Sequence, residues 1–290
     1  MRTAILASSE GWHVRDLRRA AAELGLGVER LDFRDLKGSA GCDQAFPFDA
    51  VIVRTMPSGS LEQVIFRMDV LGLLEASGVR VVNPPRALET AIDKYLGSAR
   101  MASVGLPVPR TIVCERSAKG LEAFEELGGD VVLKPLFGSE GKGLERLTSR
   151  ADATASFARL EAEGKVILAQ RFVKHPGHDY RLFVLGGKVI AAMRRVAVRG
   201  WITNVAQGGR PERVETTGEL ELLALRAAAA IGAQVAGVDI LPDLEGRLWV
   251  LEVNAVPGWK ALAPTTGLDV ARAVLEWTVT PAVDIPPAAL

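Results

Sequence analysis

Apolar residues along this chain alternate between short unbroken runs and spacings of three and four, and the order of the two patterns predicts the fold. Thr3–Ala7 is a short apolar run, and Val14, Leu17, Ala21 and Leu24 then recur at helical spacing. Strands are predicted at 28–31 and 50–54. Leu61, Val64, Ile65, Met68, Leu71 and Leu74 mark a long amphipathic helix that ends at Gly78, followed by a strand at 79–83 and a Pro-Pro stop. Strands alternating with helices in this way predict a parallel sheet covered by helices, so residues 1–84 read as one small α/β domain.

Further on, helices are predicted over 87–104, 118–127, 151–163, 218–230 and 267–278. Strands are predicted at 111–113, from 131 to Lys134, and at 166–172. Tyr180–Leu185 and Lys188–Met193 are joined by Gly186-Gly187, a hairpin signal. A second hairpin spans Val238–Asn254, two β-branched apolar runs around Pro-Asp-Leu-Glu-Gly-Arg. Prolines 281, 286 and 287 mark a loose tail over 281–290.

The second hairpin carries candidate chemistry. If its turn centres on Glu245 and Gly246, Asp239 lies opposite Glu252, and Asn254 shares that face; Val238, Ile240, Leu251 and Val253 form the opposite, core face. Like charges directly opposite repel unless a cation sits between them. Two carboxylates and an amide oxygen suit Mg²⁺ or Mn²⁺ better than zinc; the alternative is two solvated acids on an edge hairpin. Lys134, at the end of an apolar strand, precedes a loop with Gly138, Gly141 and Gly143. This places a cation and bare amides where phosphate can bind, or else it is a flexible hairpin with a snorkelling lysine. The first hairpin brings Asp179, Arg181, Arg194 and Arg195 to one end, either as a trap for anions or as surface charges on an edge. A polar loop with Asn204, Gly208 and Gly209 follows.

Composition narrows the classes. The 290 residues suffice for two or three lobes with cores of their own. Thirty-five basic residues balance thirty-five acidic ones, which gives no electrostatic reason to expect nucleic acid or an anionic membrane. Cys42 and Cys114 are the only cysteines, which argues against a disulfide framework or thiolate metal site and fits the cytoplasm. The apolar start is too short for a signal peptide, and no later stretch is apolar enough for a bilayer. Neither GxGxxG nor the Walker pattern occurs, so two common nucleotide folds are poor fits.

Several strings in order resemble an ATP-grasp ligase of the RimK-type glutamate ligase family. They are Ile92-Asp93-Lys94, Lys134-Pro135-Leu136-Phe137-Gly138-Ser139-Glu140-Gly141, Gly177-His178-Asp179-Tyr180-Arg181, Trp201-Ile202-Thr203-Asn204 with Gly208-Gly209, Ala236-Gly237-Val238-Asp239-Ile240, and Glu252-Val253-Asn254 with Pro257-Gly258. They run from about residue 79 to 277. The resemblance implies an α/β fold with α+β lobes: a parallel pre-ATP-grasp domain over 1–84, a central ATP-grasp lobe with a glycine-rich lid over 85–175, and a C-terminal lobe with the metal site over 176–280.

It also implies roles. Lys94 and Lys134 would contact ATP phosphates, the loop containing Ser139, Glu140, Gly141 and Gly143 would close over them, and Gln170, Arg171, Phe172 and Val173 would form the adenine hinge, with Asp179 near the ribose. Asp239, Glu252 and Asn254 would hold two Mg²⁺ or Mn²⁺ ions. Arg195 would steady the transferred phosphate, with Arg181 and Asn204 close to the substrates. Arg194, Gly208 and Gly209 are further substrate-binding candidates, as are Arg54 and Arg67, from the domain that helps hold the acceptor in this family.

The chain also departs from relatives. Many have an acid where Arg171 stands, and those that modify ribosomal protein have arginine near Ile202. Trp201-Ile202-Thr203-Asn204 resembles ligases of carrier-protein-based lysine biosynthesis, but Ala206-Gln207-Gly208-Gly209 and the glycine loop differ from theirs. The loop and Phe66-Arg67-Met68-Asp69 look closer to ligases that add glutamate to pterin or deazaflavin cofactors. The expectation is therefore an ATP-dependent ligase that activates an acceptor carboxylate as acyl-phosphate and joins it to an amino acid, L-glutamate, on a small molecule such as a pterin. The alternatives are a ligase acting on a carrier protein or a protein C-terminus, an ATP-grasp kinase, and a non-catalytic nucleotide-binding subunit. Self-association into a homo-oligomer is left open.

Overall fold

The computed structural model describes residues 1–41, 46–138 and 141–280. Cys42, Ser139, Glu140 and the tail expected at 281–290 lie outside the described residues. The chain divides into two compact units, one of residues 1–85, 258–263 and 267 onward, the other of residues 86–257 and 264–266.

The first unit begins with β1 (Thr3–Ala7), α1 (Trp12–Glu23), β2 (Val28–Leu31), β3 (Ala50–Thr55), α2 (Leu61–Ala76) and β4 (Arg80–Val82). All four strands pair in parallel, in the order β2-β1-β3-β4. Every residue of β1 is buried, the pattern of a parallel strand covered on both faces. Helix α1 buries Val14, Leu17, Ala20 and Ala21. Helix α2 opens with a capping box between Ser60 and Gln63.

At the boundary, and on into the second unit, come two helices where one was expected over 87–104. They are α3 (Pro85–Ile92) and α4 (Lys94–Ser103), and the break is Asp93, whose carboxylate accepts from the Tyr95 and Leu96 amides and caps α4. Pro85 is the first residue of α3, so the Pro-Pro pair ends a strand and also starts a helix. Next come β5 (Thr111–Cys114), α5 (Ser117–Glu126), β6 (Val131–Lys134), β7 (Glu145–Leu147), α6 (Arg150–Ala162) and β8 (Ile167–Arg171). They form an antiparallel sheet, β5-β8-β6-β7, whose core with α5 and α6 includes Phe124, Leu133, Phe157 and Ile167.

The same unit continues with β9 (His178–Leu185), β10 (Lys188–Val196), β11 (Arg210–Arg213), α7 (Gly218–Ile231), β12 (Val235–Pro242) and β13 (Leu248–Asn254), in the sheet order β11-β10-β9-β12-β13. Gly186 and Gly187 have φ of 55° and 76°, as a tight hairpin turn requires. The short polar strands β7 and β11 carry no apolar alternation, so periodicity does not announce them.

The β12–β13 hairpin forms with a longer loop than a turn centred on Glu245 and Gly246 supplies. Near the loop Leu241 pairs with Trp249 and Ile240 with Val250, one residue off the expected register. A bulge at Leu251 then restores it, and Asp239 pairs with Glu252 as predicted. The bulge also corrects the expectation for Leu251: Val238, Ile240 and Val253 are buried as the core face, whereas Leu251 lines a cleft.

The chain ends with α8 (Leu262–Thr266), a short helix the sequence pattern does not announce, and α9 (Val270–Val279). Gly267 caps α8 at φ 75°, and Asp269 caps α9. The last helix belongs with the first unit, because Arg19 of α1 grips Asp269 with both guanidinium nitrogens at 2.9 Å and Arg80 stacks on Trp277. No described helix is long and apolar enough to cross a membrane.

Candidate active site

The second unit contains an open cleft lined by both apolar and charged side chains, as small-molecule and cofactor sites are. Its walls differ at the two ends. Val132, Phe172, Val173, Leu241 and Leu251 make one end apolar, while Lys94, Lys134, Arg195, Asp239 and Glu252 supply charge at the other. An apolar slot continuous with fixed charges suits a flat base carrying phosphates.

The charged end is set by strand register. Asp239 faces Glu252 on one side of β12 and Arg181 of β9 on the other. Arg181 therefore neutralises the like-charge pair from within the sheet. It holds Asp239 with two donors, Nε to Oδ1 and Nη2 to Oδ2, the latter at 2.7 Å. Arg195 adds a contact from Nη2 to Asp239 Oδ2 at 2.9 Å, and its Nε donates to Asp179 Oδ1 at 2.8 Å. Asp179, Arg195 and Asp239 are all nearly inaccessible. Burial works against charge in Asp239, but Arg181 and Arg195 outweigh it and hold the carboxyl below its usual range. Arg195 is likewise disfavoured by burial, yet Asp239 and Asp179 raise its pKa.

Gly237 makes this packing possible. A Cβ there would stand 3.1 Å from Arg181 Nη1 and 3.0 Å from the Pro257 Cβ. Glycine leaves the guanidinium room to lie on the strand.

Arg194 does not join Arg181 and Arg195. Neighbours on a strand point to opposite faces, and Arg194 instead pairs with Glu212, Nε to Oε2 at 3.0 Å, on the outer side.

Lys134 lies on the last residue of β6, and Lys94 on the first residue of α4. Burial lowers the pKa of both, with Glu252 opposing the shift in each. Lys94 donates to the Gly138 carbonyl at 2.6 Å, tying α4 to the glycine loop. The break at Asp93 is what presents Lys94 here. Gly141 reaches the cleft with φ 70°, and a Cβ on it would meet Asn204 Oδ1 at 2.9 Å. Gly143 has φ 74° beside Pro135.

The hinge candidates Gln170, Arg171, Phe172 and Val173 all line the cleft. Gln170 donates to Thr111 Oγ1 at 2.9 Å. Phe172 is fixed from several sides: Arg146 lies 3.6 Å over its ring, Trp201 meets it edge-on at 5.7 Å, and His175 tilts against it at 5.9 Å. Trp201 and His175 also line the cleft, and neither is among the site residues expected from the sequence. The signal available was aromatic composition on both sides of the first hairpin.

Gly208, at φ 93°, and Gly209, whose Cβ would collide with the Thr203 carbonyl at 2.0 Å, shape the loop that carries Asn204. Arg54 and Arg67 are buried in the first unit; Arg67 donates to the Pro57 carbonyl at 2.6 Å.

The donor set at the charged end fits a hard divalent cation. It consists of two carboxylates and an amide, without nitrogen or sulfur ligands. Glu252 makes no ion pair among the described residues and accepts only the Asn254 Nδ2 at 3.2 Å, which leaves the Asn254 oxygen to ligate. Asp239 already carries two guanidiniums, but each of its oxygens retains lone-pair capacity.

Family and relatives together define an ATP-dependent carbon–nitrogen ligase. The chain belongs to the RimK-like ATP-grasp domain family, whose model matches residues 91–278. It is 32% identical over 313 aligned positions to tetrahydromethanopterin:alpha-L-glutamate ligase of Methanosarcina acetivorans, covering 94% of this chain and 96% of that one. To the protein of the same name from Methanococcus maripaludis it is 41% identical over 219 positions, 74% of each chain. Among solved structures, the ATP-grasp ligase PsnB, complexed with minimal precursor, Mg and ADP, shares the fold with a TM-score of 0.74 at 23% identity, covering 95% of this chain and 97% of that one. The family uses ATP and Mg²⁺.

Two predictions follow from the charged end. Lys134→Met removes a partly buried cation that the ligand-free protein only partly compensates, so its melting temperature should equal or exceed that of the wild type, while the ATP Kd rises about tenfold, roughly 1.4 kcal/mol. A variant that melts earlier and binds ATP normally would make Lys134 a structural residue. Glu252→Gln keeps volume and removes the free charge. Calorimetry with a non-hydrolysable ATP analogue should show weakened Mg²⁺ binding, and turnover should fall about a hundredfold, roughly 2.7 kcal/mol. Unchanged Mg²⁺ affinity would remove Glu252 from the metal set.

Proposed function

We propose that the protein joins L-glutamate to a carboxylate of a small-molecule acceptor of the tetrahydromethanopterin type, with ATP converted to ADP and phosphate. The observation that carries this reading is the cleft whose apolar slot runs into Lys94, Lys134, Arg195, Asp239 and Glu252. The names of the relatives aligned above support the choice of glutamate and a pterin acceptor, because one of them is matched over almost its whole length.

In this reading the adenine lies between Val132, Leu241 and the ring of Phe172, with Gln170 to Val173 as the hinge and Asp179 toward the ribose. Lys94 and Lys134 meet the phosphates, and their lowered pKa values rise again when an anion replaces water beside them. The acceptor carboxylate attacks the γ-phosphorus and ADP leaves. The glutamate amine then attacks the resulting acyl-phosphate carbonyl, expelling phosphate as the amide bond forms and the amine loses its protons. Arg195, fixed by Asp179, faces the charge that develops on the transferred group. Two Mg²⁺ or Mn²⁺ ions held by Asp239, Glu252 and Asn254 would supply charge neutralisation of the phosphates. Gly138, tied to α4 through Lys94, and Gly141, against which Asn204 lies, belong to the stretch that in this reading keeps water from the acyl-phosphate.

A glutamate side chain adds a carboxylate that a fixed arginine can hold bidentately, as it cannot hold an amide. In a coupled ADP assay with tetrahydromethanopterin as acceptor, L-glutamate should give a kcat/KM at least about tenfold above L-glutamine, roughly 1.4 kcal/mol. Equal rates with the two amino acids would rule out glutamate ligation and leave the chain an ATP-grasp ligase of other specificity.

A further inference from the structure

The first unit holds a buried charge that its own residues leave unanswered. Arg54 is the penultimate residue of β3 and is only 6% exposed. Its Nε is buried without a hydrogen-bond partner, and no acid among the described residues forms an ion pair with it. The other buried arginines differ: Arg195 holds two aspartates, and Arg67 donates to a carbonyl. Burial alone lowers the Arg54 pKa, to about 9, which still leaves it charged at neutral pH.

Its surroundings are built to hold the guanidinium and not to neutralise it. The Arg54 guanidinium carbon lies 4.3 Å over the ring of Trp259, a fully buried side chain. Trp259 is fastened in turn: its indole Nε1 donates to Asp16 Oδ2 at 2.8 Å and its backbone amide donates to His13 Nε2 at 3.0 Å. Asp16 is occupied by that indole and by Arg19. His13 is neutral, since burial, followed by the Arg54 charge, lowers its pKa to about 4. Lys260 adds further positive potential at His13.

The position is where open parallel sheets take ligands. From β1 the chain turns to one side to place β2 and to the other to place β3, so the topological switch lies between β1 and β3, and Arg54 sits at the carboxyl end of β3. Ser8 and Thr55, just beyond β1 and at the end of β3, bring two hydroxyls together at 3.2 Å. Helix α1 starts at this end with no side chain capping its first amides, and His13 of its first turn is the residue that meets Trp259.

We propose that Arg54 anchors a carboxylate-binding site within the first unit, taking a carboxylate of one of the two organic acids of the reaction, the acceptor or glutamate. That the acids are these two rests on the proposed function; the need for an anion rests on Arg54 alone. Carboxylate is favoured over phosphate because lysines of the second unit already serve the phosphates of ATP, and a guanidinium fork matches a carboxylate.

The test is calorimetric titration of the full chain with L-glutamate and, separately, with tetrahydromethanopterin, without nucleotide and with a non-hydrolysable ATP analogue. Wild type, Arg54→Met and Arg54→Lys are compared, and each is also melted without ligand. One acid should bind the wild type, with affinity lost about tenfold or more in Arg54→Met and partly kept in Arg54→Lys. Which acid is affected identifies the source of the carboxylate. Ligand-free Arg54→Met should melt at or above the wild-type temperature, because a buried unpaired charge has been removed. The proposal is overturned if neither acid binds the wild type in either condition, or if Arg54→Met melts early and binds both acids normally. ADP release measured on the same wild-type sample separates the two readings: Arg54-dependent binding without ligation sinks the proposed reaction alone.

Discussion

The cross-strand row Glu252–Asp239–Arg181 is the interaction on which the second unit depends. Three neighbouring strands bring two acids and an arginine into line, and Arg195 closes the row against Asp179 from the next strand over. The inner part balances, buried Asp179, Asp239 and Arg195 with the half-buried Arg181, and this is how four charges survive in a sheet. Glu252, outside that balance, is the negative charge left facing the cleft, opposite Lys134 and Lys94. The result is a pre-set field at the end of an apolar slot, needing no rearrangement of the sheet to meet a phosphate chain.

The two units treat buried charge differently. In the second, each buried arginine has its acid. In the first, Arg54 is held by an aromatic face and kept clear of acids, while Asp16, which is near enough to influence His13, is committed to the Trp259 indole. A folded chain can tolerate such a group only where something outside the chain completes it, or where stability is given up for binding.

Much of this was legible in the sequence. The opposition of Asp239 and Glu252 followed from alternation and an assumed turn, and it held because the bulge at Leu251 cancelled the one-residue error in that turn. The alternating strands and helices of the first unit, the Gly186-Gly187 hairpin and the family itself were also readable. What escaped depends on side chains competing with periodicity. Asp93 splits a helix whose apolar spacing runs straight through it, and it thereby sets Lys94. Arg194 follows the same sequence pattern as Arg195, but adjacent strand residues face opposite ways and it pairs with Glu212 instead. Nothing in the sequence separates Arg54 from the other arginines; only packing reveals that its Nε lacks a partner, and only the path of the chain brings Trp259 back beneath it.

In the proposed reaction the γ-phosphoryl group of ATP moves onto an acceptor carboxylate, from which the amine of an amino acid then displaces it. Oxygen-18 placed in the acceptor carboxylate reports this directly by mass spectrometry of the released phosphate. Transfer of about one labelled oxygen into phosphate per amide bond formed is the predicted result, since the acyl-phosphate breaks between carbon and oxygen. Phosphate that carries no label, or label retained in a phosphorylated acceptor as the final product, would contradict it.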